Sequence, residues 1–256
     1  MLCSLLLTVV PGGTAQAFAF FGQTGTGGTP LPLQTDGTPI VWPDSKTEVA
    51  ITMNFDSNYT ASMLNAMQGS WNAVGTRLQF KAGTAAAEPC DANDGVNAAG
   101  WRMTTCGDND FGDALAVTLV THVLRSGRWE ISDTDIIVDA GRTWLAVSDD
   151  PPAGQYDFHR VIVHELGHVL GLEHPDDAGQ TKTAIMNARV SEITTLQDDD
   201  IEGLTYLYGG SSGSGSGATA AEERGGAEPA LALLALLGWG VRRRAARRRA
   251  AARGMM

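Results

Sequence analysis

Residues 164–174 read His-Glu-Leu-Gly-His-Val-Leu-Gly-Leu-Glu-His, and this stretch determines how the chain around it folds. Each residue of an α-helix turns by about 100°, so His164 and His168 lie about 40° apart on one face. A continuing helix would place His174 about 80° from His164, on the far side. Gly171 predicts an interruption, because glycine tolerates the left-handed backbone that ends helices. The spacing therefore predicts a helix end near Gly171 and a loop that returns His174 to the other two histidines.

The three histidines have the chemistry of a metal site. Neutral imidazole nitrogens bind zinc well, and three of them leave a fourth tetrahedral position open, as in catalytic zinc sites. Glu165 lies about 60° round the helix from His168, which suits a general base beside the metal rather than a ligand. The alternative is an amphipathic helix whose histidines fit by chance, and it would require every fixed position to coincide. We therefore expect His164, His168 and His174 to bind zinc.

These residues resemble the helix motif of the metzincin zinc peptidases, which the chain matches at every fixed position. Residues 184–187, Ala-Ile-Met-Asn, resemble the metzincin Met-turn, in which a methionine, here Met186, packs beneath the zinc-binding histidines. Residues 196–209 are similar to the C-terminal helix of matrixins, the matrix-metalloprotease branch. The resemblance spans about residues 40 to 209. It implies an α/β (α+β) sandwich with a mostly parallel twisted sheet, an active-site helix, a Met-turn and a C-terminal helix.

The chain departs from vertebrate matrixins in ways that limit what the resemblance implies. No cysteine lies between residues 18 and 45, so latency through a thiolate on the zinc is not expected. The His-Gly-Asp element of a structural zinc site is missing, and we expect His122 and His159 to be surface or packing residues. Acidic runs at 91–95 and 108–113 suit Ca²⁺, which matrixins commonly bind, but they identify no ligand.

The amino-terminal sequence predicts export. Residues 2–10 are apolar, and Ala15-Gln16-Ala17 fits the small-x-small rule for signal-peptide cleavage, so residues 1–17 are predicted to be a signal peptide. A buried N-terminal strand is the alternative. The prediction then assigns residues 18–45 to an N-terminal extension and residues 46–209 to a metzincin catalytic domain.

The carboxyl-terminal sequence resembles a sorting signal. Residues 210–229 are predicted to be a flexible linker, because their first half is rich in glycine and serine. Residues 230–256 begin with a short apolar run and continue with seven arginines between residues 242 and 253. This layout resembles the PEP-CTERM signals of Gram-negative bacteria and implies transient contact with the inner membrane. Nucleic-acid binding by the arginines and a helix packed on the catalytic domain are the alternatives.

Composition and cysteine usage fit an exported globular domain. The chain has 256 residues, of which 43% are hydrophobic, so it can bury one substantial core. Residues 18–210 carry 10 Lys and Arg against 26 Asp and Glu, and this net charge of −16 favours solubility. We expect no nucleic-acid partner, because a secreted protein meets little nucleic acid. Cys90 and Cys106 remain once the signal peptide is removed, and outside the cytoplasm we expect them to form a disulfide.

Hydrophobic periodicity predicts the order of the remaining elements. The predicted strands are 48–56, 77–81, 114–124 and a last strand at 136–139, to which residues 127–135 lead. The predicted helices are 59–74, 157–170 and 196–209. The apolar run 114–124 is typical of a buried strand, and the segment that bears the two cysteines reads as a long loop. These patterns do not identify the strand that borders the substrate cleft.

The sequence and the resemblance together predict a secreted or cell-surface zinc endopeptidase. We expect a monomer that hydrolyses protein or peptide substrates, with Glu165 taking a proton from the attacking water. One alternative is a non-catalytic zinc-containing surface module that binds a partner. Glu165 argues against that alternative, because a pure binding site has no use for a base. A hydrolase of non-peptide bonds is the second alternative.

Overall fold

The structure, a computed structural model, describes five parts of the chain: residues 18–21, 38–91, 94–107, 109–189 and 191–209. The predicted signal peptide, linker and sorting segment lie outside these residues. No helix within the described parts is long and apolar enough to cross a bilayer.

The described residues form nine strands and three α-helices. The strands are β1 (Ala19–Phe20), β2 (Glu48–Asn54), β3 (Gln79–Ala82), β4 (Asn97–Arg102), β5 (Ala116–Arg125), β6 (Arg128–Asp139), β7 (Thr143–Leu145), β8 (Gln155–Asp157) and β9 (Leu172–Glu173). The helices are α1 (Ser57–Asn65), α2 (Phe158–Val169) and α3 (Asp198–Tyr208).

The central element is a five-stranded sheet in the order β3-β2-β4-β6-β5. Its first four strands run parallel, and only β5 pairs antiparallel, with β6. This arrangement confirms the predicted α/β class with a mostly parallel sheet. Helix α2 packs against the sheet, and the core between them includes Ile51, Ile136 and Ile162.

The sheet corrects two sequence predictions. Strand β4 lies within the segment predicted to be a long loop; its run Asn-Ala-Ala-Gly lacks the β-branched residues that mark strands. The apolar run 114–124 forms β5 as predicted, but it is a half-buried edge strand and not a buried one. Its position explains the difference, because β6 covers one side only and the other side remains open.

The predicted helix 59–74 consists of an α-helical, a π-helical and a 3-10 segment in succession. Helix α1 continues as a π-helical segment, Ala66–Trp71, and a 3-10 segment, Asn72–Val74, before Gly75 ends it with φ 80°. The side chain of Trp71 donates a hydrogen bond from Nε1 to the carbonyl oxygen of Val163 at 2.8 Å. This contact fixes the run against α2.

Helix α2 begins and ends where the sequence predicts. The Asp157 carboxylate caps its start by accepting hydrogen bonds from the backbone N–H groups of His159 and Arg160. The helix closes at Leu170, and Gly171 follows with φ 90°, a left-handed conformation that favours glycine. The chain can therefore turn directly into β9, which precedes His174.

The predicted N-terminal extension contributes to the core. Strand β1 pairs antiparallel with β9, and the backbone N–H of Phe21 donates to the carbonyl oxygen of Gly171 at 3.0 Å. Ile40 and Trp42 are fully buried, and the Trp42 indole donates to the carbonyl oxygen of Val169 at 2.8 Å. These contacts support the carboxyl end of α2, where the chain leaves the helix.

A disulfide joins Cys90 and Cys106, as the sequence predicts, with their Cα atoms 5.3 Å apart. The bond brackets β4, and the backbone N–H of Cys90 donates to Asp135 Oδ2 of the neighbouring strand β6 at 3.0 Å. Closing a loop of 16 residues stabilises a folded domain by roughly 3 kcal/mol. The disulfide therefore strengthens a strand of weak intrinsic propensity.

Candidate metal centre

The histidines of the 164–174 motif converge on one point. His164 and His168 lie one turn apart on α2, and His174 returns from the loop after β9. The Nε2 atoms of the three rings are each 3.1 Å from the other two. Within the described ranges, this triad is the one group of three His, Cys, Asp or Glu side chains that meets closely enough to hold a metal ion.

The hydrogen-bond partners of the Nδ1 atoms indicate which ring nitrogens of the triad carry protons. His164 Nδ1 lies 2.8 Å from the Ile185 carbonyl oxygen, and His168 Nδ1 lies 2.8 Å from the Leu172 carbonyl oxygen. A carbonyl oxygen only accepts, so both Nδ1 atoms carry the proton and both Nε2 atoms present lone pairs. Burial and the neighbouring histidines lower the pKa of His168 well below its usual value, and burial also lowers the pKa of His174.

The donor set fits zinc. Nitrogen ligands about 2.0–2.1 Å from a tetrahedral zinc lie about 3.3–3.4 Å from one another, close to the separations of the three Nε2 atoms. Without a cation, three lone pairs facing one point would repel. Two backbone carbonyls and the Asp177 carboxylate, 3.1 Å from His174 Nδ1, orient the rings as outer partners of metal-binding histidines do.

The Glu165 side chain lies beside the triad and is 5% exposed. Its Oε2 accepts a hydrogen bond of 2.6 Å from the Thr118 hydroxyl of the edge strand β5. Burial raises the pKa of the Glu165 carboxyl, while the proximity of His164 and the Thr118 hydrogen bond oppose the rise. The Thr118 hydroxyl therefore orients Oε2 of this carboxylate, and Oε1 can accept a proton from another group.

The predicted Met-turn packs beneath α2. A Cβ atom placed on Gly167 would lie 2.2 Å from Met186 Sδ, so the turn approaches the helix at a position where only glycine fits. Met186 is 2% exposed. The same turn supplies the Ile185 carbonyl that orients His164. The Met-turn therefore both packs against α2 through Met186 and orients the His164 ring through Ile185.

Helix α3 positions the Met-turn through Asp200. Its buried carboxylate accepts hydrogen bonds from the backbone N–H groups of Ile185 at 2.9 Å and Met186 at 3.2 Å. It also accepts from the N–H of Gln197 at 2.8 Å, which closes the capping box of α3. This role of Asp200 was not predictable from the sequence, because an acidic first turn is ordinary in helices.

A cleft of about 980 Å³ opens beside the triad. The start of β5 lines one part of it, and the residues after the Met-turn line another. Phe21, near the amino terminus, also lines the cleft and lies over the His168 ring at a centroid distance of 6.3 Å.

The family profile described as Matrixin matches residues 39–209, and that range contains the triad, Glu165, the Met-turn and α3. The chain belongs to the matrixin family. Family membership implies zinc as the metal of the histidine triad.

Three relatives resemble parts of this matrixin. Metalloendoproteinase 1 of Glycine max is 36% identical over 74 residues, which cover 28% of this chain and 24% of the relative. Metalloendoproteinase 5-MMP of Arabidopsis thaliana is 34% identical over 96 residues, with coverage of 34% and 26%. Neutrophil collagenase of Homo sapiens is 32% identical over 94 residues, with coverage of 37% and 19%. The matched region is thus about a quarter of each relative's length or less.

A solved structure of a zinc-protease, high choriolytic enzyme 1 of Oryzias latipes, is similar at 11% identity and a TM-score of 0.35. The match covers 66% of this matrixin and 94% of that chain. At such a TM-score, nothing further follows for this matrixin.

The two remaining histidines of the chain lie outside the triad. His159 Nδ1 is 3.3 Å from the Ser62 hydroxyl, and His122 packs edge-on against Phe21 at a centroid distance of 5.8 Å. In the acidic runs, Asp94 and Asp110 accept hydrogen bonds from backbone N–H groups two residues ahead, as in ordinary turns. Calcium binding therefore stays a prediction without ligands.

Sequence reasoning missed Thr118 as well as Asp200. Thr118 lies in an apolar run and carries no motif, so its contact with Glu165 depends on the pairing of β5 with β6. The available clue was weak, since Thr118 is one hydroxyl residue within a predicted strand whose place beside the motif helix the sequence did not indicate.

Proposed function

We propose that this matrixin is a zinc-dependent endopeptidase that hydrolyses internal peptide bonds of protein or peptide substrates. The observation that carries the proposal is the convergence of three histidine Nε2 atoms beside the buried carboxylate of Glu165, which does not belong to the triad. A site for a structural metal would use a fourth protein ligand in place of an open position.

The residues have separate roles in this proposal. His164, His168 and His174 would hold the ion through Nε2. When bound, zinc lowers the pKa of a water molecule beside it and polarises the carbonyl group of a substrate. Glu165 takes the proton of that water at Oε1, because Oε2 accepts the Thr118 hydrogen bond. The carboxyl then gives the proton to the leaving amine nitrogen as the C–N bond breaks.

The environment of Glu165 supports both halves of that proton transfer. Burial raises the pKa of its carboxyl, so the group can keep the proton between the attack of water and the departure of the amine. Thr118 fixes the carboxylate on the side of β5, and a base in a constant position reacts faster than one that samples several rotamers.

Strand β5 supports the proposed substrate class. It is the last strand of the sheet, and its residues Ala116, Val117 and Thr118 line the cleft. An extended peptide that pairs with a sheet edge forms regular main-chain hydrogen bonds whatever its side chains are. We therefore expect substrate to bind as an added strand along β5, with a peptide bond at the triad.

Cleavage of a peptide library by the full chain tests the proposal. Protein freed of metal, checked for folding by circular dichroism, is compared with protein reloaded with one equivalent of Zn²⁺, with and without a chelator. Mass spectrometry should detect new amino termini within the peptides only in the zinc-loaded sample. Zinc-loaded, folded protein that cuts no internal peptide bond would contradict the proposal.

The same preparation distinguishes the alternatives. Hydrolysis of ester or glycoside substrates without peptide cleavage would favour a hydrolase of another bond type. Tight binding of a protein partner with no hydrolysis would favour a binding module. We do not expect a binding module, because Glu165 and the open ligand position would serve no purpose in one. We do not expect another bond type, because the sheet edge β5 beside the cleft favours an extended peptide.

Export is part of the proposal. Residues 1–17 would direct secretion, and residues 230–256 would contact the inner membrane transiently before sorting. Truncation after Gly210 tests the second part: fractionation should find the shortened protein in a different compartment, with unchanged peptidase activity and thermal midpoint. A drop of several degrees in that midpoint would mean that the tail belongs to the fold.

A further inference from the structure

Arg160 is a buried cation in the wall of the cleft. It lies on α2 four residues before His164, so both side chains leave the same face of the helix one turn apart. Arg160 lines the cleft and is 8% exposed. A buried arginine therefore lies one helical turn before a histidine of the triad, in the wall of the same cleft.

The Arg160 guanidinium has no carboxylate partner among the described residues. Its Nη1 donates to the Ser191 carbonyl oxygen, and its Nε is enclosed without an acceptor. Four other described arginines, by contrast, pair with carboxylates: Arg77 with Asp44, Arg102 with Glu88, Arg125 with Glu130, and Arg142 with Asp139. These four are more exposed than Arg160 and need a partner less.

Three carboxylates on α2, at its start or in the cleft have other partners. Asp157, three residues away, accepts from the backbone N–H groups of Ser148, His159 and Arg160 itself. In the cleft, Glu165 accepts from Thr118 and Asp177 contacts His174. Within the described residues, the guanidinium therefore donates to one neutral carbonyl oxygen and to no carboxylate.

A buried guanidinium with so little compensation is costly to the fold. The cost falls when an anion enters the cleft, because a carboxylate supplies a countercharge and further hydrogen-bond acceptors. We propose that Arg160 determines specificity by binding an acidic side chain of the substrate, at one of the two residues that flank the cleaved bond. This inference rests on the proposed peptidase function and names its substrate class.

The proposed preference depends on the charge of the substrate side chain and not on its size. Glutamate and glutamine have nearly the same size, so a pocket that selects by shape cleaves both equally. A hydrogen bond to a charged group that is absent with glutamine changes kcat/KM by about tenfold to a hundredfold. An aliphatic residue at the same position would leave the guanidinium uncompensated and should be cleaved still more slowly.

Matched peptides and the zinc-loaded full chain test this. Six peptides carry Glu, Gln or Leu at the residue before or after a defined cleavage site. At one of the two positions, Glu should exceed Gln in kcat/KM by tenfold or more. Equal rates for Glu and Gln, or a preference for Leu, would overturn the inference and leave Arg160 as an anchor for the Ser191 segment.

Two variants test whether Arg160 causes the preference for glutamate over glutamine. Arg160→Gln should reduce the Glu-to-Gln ratio to near one, while Arg189→Gln, which alters an exposed arginine of the same cleft, should keep it. Loss of the preference in Arg189→Gln alone would overturn the assignment to Arg160. If Arg160→Gln does not fold, the ratio in the unaltered protein decides.

A binding measurement keeps this inference separate from the proposed function. If the zinc-loaded protein cleaves no peptide, the peptidase proposal fails, and calorimetry with the same six peptides tests Arg160. Tighter binding of the Glu peptide than of its Gln match by tenfold or more would support the inference. Equal affinities would overturn it.

Discussion

The triad is assembled from a helix and a loop that are stabilised in different ways. His164 and His168 lie on α2, and backbone carbonyls of Ile185 and Leu172 orient their rings. His174 lies in the loop after β9, and the carboxylate of Asp177, with 68% of its side chain exposed, contacts its ring. The helix side is therefore set by the core, whereas the loop side depends on one exposed residue.

The helix ligands and the loop ligand differ in how firmly the fold positions them before a metal ion binds. Two ligands one turn apart on a packed helix need little rearrangement to bind an ion. The third ligand reaches them only because Gly171 ends the helix and β9 pairs with β1. We therefore expect the loss of a helix ligand to reduce zinc binding more than the loss of the loop ligand.

The largest expected effect is the loss of a helix ligand. His168→Ala leaves His164 and His174 on separate elements, so we expect no zinc in elemental analysis after gel filtration and no peptidase activity. His174→Ala keeps the helix pair and should retain a fraction of an equivalent. Equal zinc retention by both variants would contradict the distinction between helix and loop.

Asp200 tests the support of the helix side. Asp200→Ala leaves the backbone N–H groups of Ile185, Met186 and Gln197 without their acceptor. We expect a loss of about 2–4 kcal/mol in the free energy of unfolding, measured by denaturant titration. The control Asp198→Ala alters an exposed aspartate of the same helical turn and should change stability by less than about 1 kcal/mol. Similar losses in both variants would contradict the assigned role.

Asp177 tests the loop side directly. Asp177→Asn keeps the size of the side chain but weakens its interaction with His174, so zinc affinity should fall by about tenfold to a hundredfold. Competition with a chelator of known affinity measures the change, with Glu192→Gln as an exposed control of equal charge change. An unchanged affinity would mean that the loop is ordered by its backbone alone.

Thr118 gives the smallest expected effect, since it acts through Glu165 and not on the metal. Thr118→Val should lower kcat by about tenfold with little change in KM or bound zinc, and Thr118→Ser, which keeps the hydroxyl, should restore the rate. Loss of activity in both variants would indicate that packing at this position matters and that the hydrogen bond does not.

The elements with strong local patterns were predictable from the sequence. Helix α2 and its end at Gly171 follow from the spacing of polar and apolar residues and from one glycine. The convergence of His164, His168 and His174 follows from the same stretch, since three ligands at that spacing have one geometric solution.

The remaining features depend on tertiary contacts. Strand β4 has weak strand propensity and is fixed by its pairing with β2 and β6 and by the disulfide. Whether β5 lies at an edge or in the middle of the sheet depends on strand order, which periodicity does not encode. Thr118 and Asp200 act across long sequence separations, so no local pattern reveals them.

The central claim has two parts. The three histidines alone bind the metal, and Glu165 acts as a base beside it. Glu165→Ala tests both parts in one preparation, by zinc analysis and by turnover of a cleaved peptide. The account predicts one equivalent of zinc, as in the unaltered protein, with kcat lower by about 10²–10⁴-fold. Near-normal turnover, or loss of the zinc together with the activity, would contradict it.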